Sequence, residues 1–509
     1  MKNSLKASAI ISYVAMGVNL LTNMFFIPIL IRQLGQSEYG IYNVCVSAIS
    51  YLNLFQLGFG ATYLRYFIKF ESEENKQKTE ELNGMFFLVF TVIAGLVLIA
   101  GVFLVRNIED VLGRNITASE YVLARNLLSF MVLNVSITML STIYSSLITA
   151  HEKFFFQKSI ELATTLLKPM LLIPLLFLGY KSVVVVAVTT GLTLANFVVC
   201  IWFCLAKLKI KFRFSNFDFR LFREMGGFTF FIFMQGIMDI FNWQIGKFLI
   251  ARLWGADKTA IYSVGAQFNT IFITACSTMT VLFVPRVNRI VAQKQEDSLL
   301  SDLLIRMGRI QFFVVAFIML LFIFLGQSVV HFFAGSGYEN AYYVGILLML
   351  PLVGALSMEL GFHIMRAKAK HKWQMVINAG MAFVSFLISI PLCKAYGEIG
   401  AAAGTFIGMV LANNIIQYIY YQKVGKLDMK RWLKEIATIF PALILPCIAG
   451  IIVFVFVNTN QILYFMTSTF VFAAIYAVSL WFFGMNTEEK VMIINPVKKI
   501  LCKLRGRGA

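Results

Sequence analysis

RQLGQSEYGIYNV at residues 32–44 and RLWGADKTAIYSV at residues 252–264 read as two copies of one element, and the relation between them decides the fold. A shift of 220 residues aligns Arg32 with Arg252, Gly35 with Gly255, Ile41 with Ile261, Tyr42 with Tyr262 and Val44 with Val264. The polar pattern repeats as well. Asn43, Ser47 and Ser50 recur at i, i+4 and i+7; Ser263, Gln267 and Thr270 hold the matching positions, with Thr274 a turn further on. Upstream, Asn19 and Thr22 stand where the second copy has Asp239 and Asn242. Repeats of this kind flank the central site of many transporters.

Both copies lie in apolar surroundings. Of 509 residues, 59% are hydrophobic and 14% charged, with mean hydropathy +0.79. A soluble chain runs at about 45–50% apolar and about 25% charged. The composition excludes a soluble enzyme, a secreted disulfide scaffold and a disordered chain, and leaves too few residues for a large extramembrane domain. Apolar segments of helical length occur at 7–31, 39–64, 83–105, 121–149, 159–179, 182–206, 225–250, 259–284, 310–333, 341–365, 373–394, 399–422, 436–457 and 462–483. A spanning helix needs about 20 such residues, and the strict alternation of a membrane barrel is absent. The expected fold is an all-α polytopic membrane protein of about 14 transmembrane helices. Six spans separate the two copies, so both have one orientation and are related by an axis along the membrane normal. Two pseudo-symmetric six-helix lobes follow, an N-lobe at 1–206 and a C-lobe at 225–422. A basic linker at 207–224 joins them, and spans 13 and 14 with a basic tail occupy 423–509. The linker alternates basic and aromatic residues, which suits a strip lying at the headgroups and equally a solvated connection.

Charge orients the chain. There are 44 Lys and Arg against 25 Asp and Glu, a net charge of +19. With fourteen spans both termini share one side. Loops on that side hold 34 of the basic residues and loops on the other side hold 7. This is the positive-inside pattern, with both termini cytoplasmic. It accounts for the basic balance without a nucleic-acid partner and adds attraction to anionic inner-leaflet lipids. Lys2 and Lys6 precede an apolar run too long for a signal-peptide core, so a retained first helix is expected. The 7 cysteines lack metal-ligand spacing and read as small buried hydrophobes.

Charge inside a span is costly and marks a wet cavity or a partner. Arg125, Glu161, Lys168, Asp239, Lys247 and Glu359 stand within spans, with Arg65 and Arg366 near ends. Gln235, Asp239 and Asn242 recur at i, i+4 and i+7, and Lys247 follows two turns past Asp239. They read as a cavity-lining stripe carrying a titratable acid and a cation, or as a polar seam joining helices. Glu359, His363 and Arg366 share another face, as a gate or proton site or as a structural ion pair. Lys168 precedes Pro169 and Pro174 in a span expected to kink, and is placed to bind an anion. Asn19, Asn43, Gln235, Asn242 and Gln267 complete the polar cavity set. Enzyme chemistry lacks support: there are 4 His, with no HExxH, P-loop or GxSxG elbow. No catalytic residue, metal site or cofactor is expected.

The stretch LIRQLGQSEYGIYNVCVSAISYLNLFQLGFGATYLRYFIKF, Leu30 to Phe70, resembles the N-terminal signature of bacterial polysaccharide flippases. These are the O-antigen and exopolysaccharide translocases of the multidrug/oligosaccharidyl-lipid/polysaccharide exporter superfamily. RAKAKHKWQMVINAGMAFVSFLISIPLCKAYGEIGAAAGTFIG, Arg366 to Gly408, resembles their C-lobe, where a basic loop precedes a span that ends in a YGxxGAA turn. The resemblance implies two lobes about a central cavity, alternating access, and an oligosaccharide on undecaprenyl diphosphate moved from the inner to the outer leaflet of the bacterial cytoplasmic membrane. A diphosphate is anionic, and cations in a low-dielectric cavity attract it. Arg65, in the motif LGFGATYLRY, and Arg125, Lys168 and Lys247 are the cations expected to hold it. Asp239 or Glu359 would take the coupling ion, H+ or Na+. Glycan polymerase and assembly proteins are the partners the resemblance implies. The family's asparagines in the eleventh span are reduced here mainly to Asn378. The alternatives are a drug/cation antiporter of the same superfamily, disfavoured by fourteen spans and the cationic span residues, and a membrane glycan polymerase.

Overall fold

Each copy of the repeated element is a helix end, a turn and a helix start. The helix Lys2–Leu34 closes on Gly35 at φ +75°, whose N–H donates to Ile31 O at 3.0 Å. The helix Phe219–Trp254 closes on Gly255 at φ +84°, whose N–H donates to Ala251 O at 3.1 Å. A side chain in that left-handed conformation costs about 1–2 kcal/mol, which glycine avoids. Arg32 and Arg252 occupy the last turns, where a cation complements the helix dipole. The helices that follow start against one another. A Cβ on Gly40 would lie 2.1 Å from Ala256 O, and Gln36 Nε2 donates to Asp257 O at 3.4 Å.

The computed structural model describes residues 2–491 and 494, except 57–58, 74, 110–115, 215–218, 282, 294–295, 369, 371, 458 and 460. Some helical side chains, including those of 2–16, 224–232, Gln235 and Asp239, also lie outside the described residues. In chain order the helices are α1 Lys2–Leu34, α2 Gln36–Asn53, α3 Phe59–Ser72, α4 Lys76–Arg106, α5 Ala118–Ala150, α6 Phe154–Phe177, α7 Ser182–Trp202, α8 Phe219–Trp254, α9 Ala256–Val281 and α10 Val284–Ala292. They continue with α11 Asp297–Ala334, α12 Asn340–Met349, α13 Leu352–Ser357, α14 Glu359–Ala367, α15 Lys372–Met409, α16 Gln417–Lys423, α17 Met429–Ala437, α18 Phe440–Phe456 and α19 Ile462–Ser479. Among the described residues there is no strand, and 9 helices are long and apolar enough to cross a membrane, or 10 if the pair α17 and α18, bent by 41°, counts as one span. The protein is an all-helical multi-pass membrane protein. Each apolar segment read from the sequence falls on helical backbone over most of its length. Several of them are interrupted. The tenth segment is broken into α12, α13 and α14, and α15 breaks at Gly397, φ +59°.

The chain forms two compact units, Met1–Ser263 with Ala382–Gly404, and Val264–Met381 with Thr405–Ala509. In the first, α5 is the central helix, with α2, α3, α4 and α7 against it. Leu127, Leu128, Met139 and Leu147 of α5 are fully buried there. The α4–α5 approach is close, since a Cβ on Gly101 would lie 2.2 Å from Val132 Cγ1. The YGxxGAA turn also belongs to this unit. Gly397 reverses the chain, and Cβ atoms on Gly400 and Gly404 would lie 1.9 Å from Leu392 O and 2.2 Å from Ser389 Oγ. The turn is fastened by Lys258 Nζ to Glu398 Oε1 at 3.0 Å and by Trp254 Nε1 donating to Cys393 O at 2.8 Å.

In the second unit α11 is central, with α12, α13, α17, α18 and α19 around it. Arg309 of α11 is 4% exposed. Its Nε donates to Glu489 Oε1 at 2.7 Å, one NH group reaches Thr438 Oγ1 and Glu435 O at 2.7 Å, and the other reaches Gly484 O at 2.8 Å. That network satisfies a charge that would otherwise be stranded, and it ties the segments around α17 and the end of α19 to α11.

Candidate functional site

Thr138, Ser141, Thr142, Ser145, Ser146 and Thr149 recur along α5 at i, i+3, i+4, i+7, i+8 and i+11 and share one face. That face, with Gln157 of α6 and Thr193 and Asn196 of α7, lines a cavity of about 500 Å3 within the first unit. A neighbouring cavity of about 320 Å3 shares Thr138 and adds Ser50, Asn53, Asn134 and Thr189. Among the described residues no carboxylate, ammonium or guanidinium lines either space. Thr138 and Thr142 donate to the carbonyls four residues back at 2.8 and 2.9 Å, and the Thr149 hydroxyl lies 2.8 Å from both Ser145 O and Gln157 Oε1. Asn134 Nδ2 donates to Thr193 Oγ1 at 2.9 Å and holds α5 to α7 beside the opening. A hydroxyl seam that only glues helices closes the gap between them. Here the hydroxyls and amides face open volume, a surface suited to an uncharged ligand rich in hydroxyls.

The expected cations of this unit are placed differently from one another. Lys168 on α6 and Lys247 on α8 are half-buried, and neither has an acidic partner among the described residues. Arg125, seven residues into α5, lies 3.5 Å from Glu109 with both side chains more than half exposed. Arg65 is exposed on α3. Asn19 is exposed on α1, where it accepts from Asn23 Nδ2 at 2.7 Å. Asn43 is half-buried and donates to Tyr39 O at 2.9 Å. Its carbonyl and Gln244 Oε1 lie 2.8 and 2.9 Å from the Ser47 hydroxyl, which connects α2 to α8. Asn242 is half-buried on the same helix as Lys247. The side chains of Gln235 and Asp239 lie outside the described residues.

The second unit holds Glu359 and Gln267. Glu359 opens α14 just past the interruption at Met358, half-buried, and accepts from Thr280 Oγ1 at 3.0 Å. Gln267 is half-buried on α9. Upstream, Asn414 Nδ2 donates to Pro351 O at 2.8 Å from inside a π-helical turn, Val410–Ile416. Broken helices of this kind, with irregular backbone satisfied by neighbours, mark binding or coupling sites in transporters. Among the described residues no cluster of His, Cys, Asp and Glu could hold a metal ion.

Sequence reasoning that searches for charge in spans finds Lys168, Lys247 and Glu359 and passes over the α5 hydroxyl face. Its signal was present as Ser and Thr at helical spacing from 138 to 149. Only the packing of α3, α6 and α7 shows that this face opens on a cavity. Arg309 stands one position before the apolar segment at 310–333, and its acidic partners lie 126 and 180 positions away.

A family profile described as "Polysaccharide biosynthesis protein" matches residues 5–291. A Shigella flexneri protein named as an O-antigen transporter is 21% identical over 398 residues, 77% of this chain and 91% of that protein. The fold is shared with the lipid II flippase MurJ in an inward closed conformation, at TM-score 0.70 and 16% identity over 93% of this chain and 97% of that one. It is also shared with a multidrug resistance MATE family transporter of the MOP superfamily in its inward-facing conformation, at TM-score 0.64 and 11% identity over 82% and 96%. These relatives are transporters and flippases, not enzymes.

Proposed function

The chain belongs to the polysaccharide biosynthesis protein family, and from that premise we propose that it is a flippase for an oligosaccharide linked to undecaprenyl diphosphate. It carries this lipid from the inner to the outer leaflet of the bacterial cytoplasmic membrane by alternating access, with both termini cytoplasmic. The reading is carried by the uncharged hydroxyl and amide cavity along α5, which lies in the stretch matched by the family profile. Sugars offer the complementary donors and acceptors. The diphosphate is assigned to Lys168 and Lys247, with Arg65 and Arg125 as outer cations, because an ammonium without a carboxylate partner in an apolar setting attracts an anion strongly. Alternating access would come from rocking of lobes at 1–206 and 225–422, biased by H+ or Na+ at Asp239 or Glu359. A coupling ion shifts such an equilibrium only by its differential affinity for the two states, which an acid changing its exposure supplies. A glycan polymerase acting on the delivered lipid is the expected partner.

The test is surface glycan in a deletion strain complemented with T142V/S146V, K168Q/K247Q or Asp239→Asn, at matched membrane abundance. The expected result is loss of surface glycan with lipid-linked intermediate accumulating on the inner leaflet. Full surface glycan in all three overturns the reading. Normal glycan together with drug accumulation in the deletion strain points to the antiporter alternative. Loss of long polymer alone, with single repeat units still exported, points to a polymerase.

A further inference from the structure

The second unit carries a cationic groove that the transport reading does not use. α10 is a nine-residue helix that buries Val287 and Ile290 and leaves Arg286 and Arg289 exposed. Between it and the first turns of α11 lies a cavity of about 570 Å3 lined by Arg286, Arg289 and Arg306. Its apolar wall is Ile290, Leu299 and Leu303. The carboxylate in its lining, Asp302, is bound by Arg431 at 2.7 Å and is thereby neutralised. The groove therefore presents the guanidinium groups of Arg286 and Arg289 beside hydrocarbon. Guanidinium forks match the oxygens of a phosphate, and the apolar wall matches the start of an acyl chain. α10 follows directly on α9, at the end of an apolar segment and in a loop rich in Arg, the setting of headgroups on the positive side of a membrane.

We propose that this groove binds the phosphate headgroup of an anionic glycerophospholipid resident in the leaflet. The cargo lipid fits it less well. Among the described residues, the lining offers a sugar no neutral amide or hydroxyl apart from Gln293, whereas the α5 cavity of the other unit offers many. A small headgroup on a diacyl body uses both the guanidinium rim and the apolar wall.

The experiment is native mass spectrometry of the full-length purified protein titrated with phosphatidylglycerol, phosphatidylcholine or undecaprenyl phosphate. The variants are R286Q/R289Q, the charge-preserving R286K/R289K, and K76Q/K78Q as a control that removes two exposed charges elsewhere. The expected result is preferential retention of phosphatidylglycerol by the wild type, an about tenfold weaker affinity in R286Q/R289Q, an intermediate loss in R286K/R289K and none in K76Q/K78Q. Melting temperatures measured in parallel show whether each variant is folded. Unchanged phosphatidylglycerol binding in folded R286Q/R289Q, equal loss in the control, equal binding of the two phospholipids, or preference for undecaprenyl phosphate each overturns the proposal.

Discussion

Two kinds of buried charge coexist in this chain, and they predict opposite mutational outcomes. Lys168 and Lys247 are half-buried without an acidic partner among the described residues, so the folded protein carries their desolvation uncompensated. K168Q and K247Q are expected to leave thermal stability unchanged or raised while surface glycan falls at least about tenfold, the loss from one charge-assisted contact. Thermal unfolding in detergent beside a glycan blot checks this. Lower stability with normal glycan would assign these lysines to packing. Arg309 is the reverse case, enclosed by Glu489, Glu435, Thr438 and the Gly484 carbonyl. Removing one partner of such a network strands the other, so R309A is expected to cost about 3–5 kcal/mol, read as a large drop in melting temperature. Lys168 and Lys247 stand out in the sequence because charge interrupts an apolar run. Arg309 does not, because it lies at the border of a basic loop and its partners come from the far end of the chain.

At the scale of elements, glycines set where helices turn and touch. Gly35, Gly255 and Gly397 have positive φ, and Gly40 and Gly400 sit where a Cβ would enter a neighbouring carbonyl. G400A forces the two arms of α15 apart at Leu392 and is expected to cost about 1–3 kcal/mol. The check is loss of monodisperse protein, or a lowered melting temperature, against G380A as control, since a Cβ at Gly380 meets nothing within 4 Å. The repeat at 32–44 and 252–264 made the two turns legible, because R-x-x-G at a helix end is local chemistry. The fracture of the tenth span into α12, α13 and α14 was not legible beyond its proline. Asn414 reaches the Pro351 carbonyl there from 63 residues away, which no local pattern announces.

At the scale of the whole molecule, the distribution of basic residues makes a topological prediction. Reporter fusions at the two ends are expected to give the same cytoplasmic signal, and fusions in the loop near 106–117 the opposite one. A split result would remove the even span count.

The membrane class, the helical fold and the repeated helix-turn-helix start are legible residue by residue, because they follow from local quantities: hydropathy over about 20 residues, helical periodicity, and the left-handed turn that glycine permits. Which polar face opens on a cavity, which arginine is enclosed and which span is broken emerge from the packed chain alone. Each of those depends on atoms brought together from distant positions, and a helical stripe of serine and threonine looks the same in sequence whether it seals two helices or lines an open space.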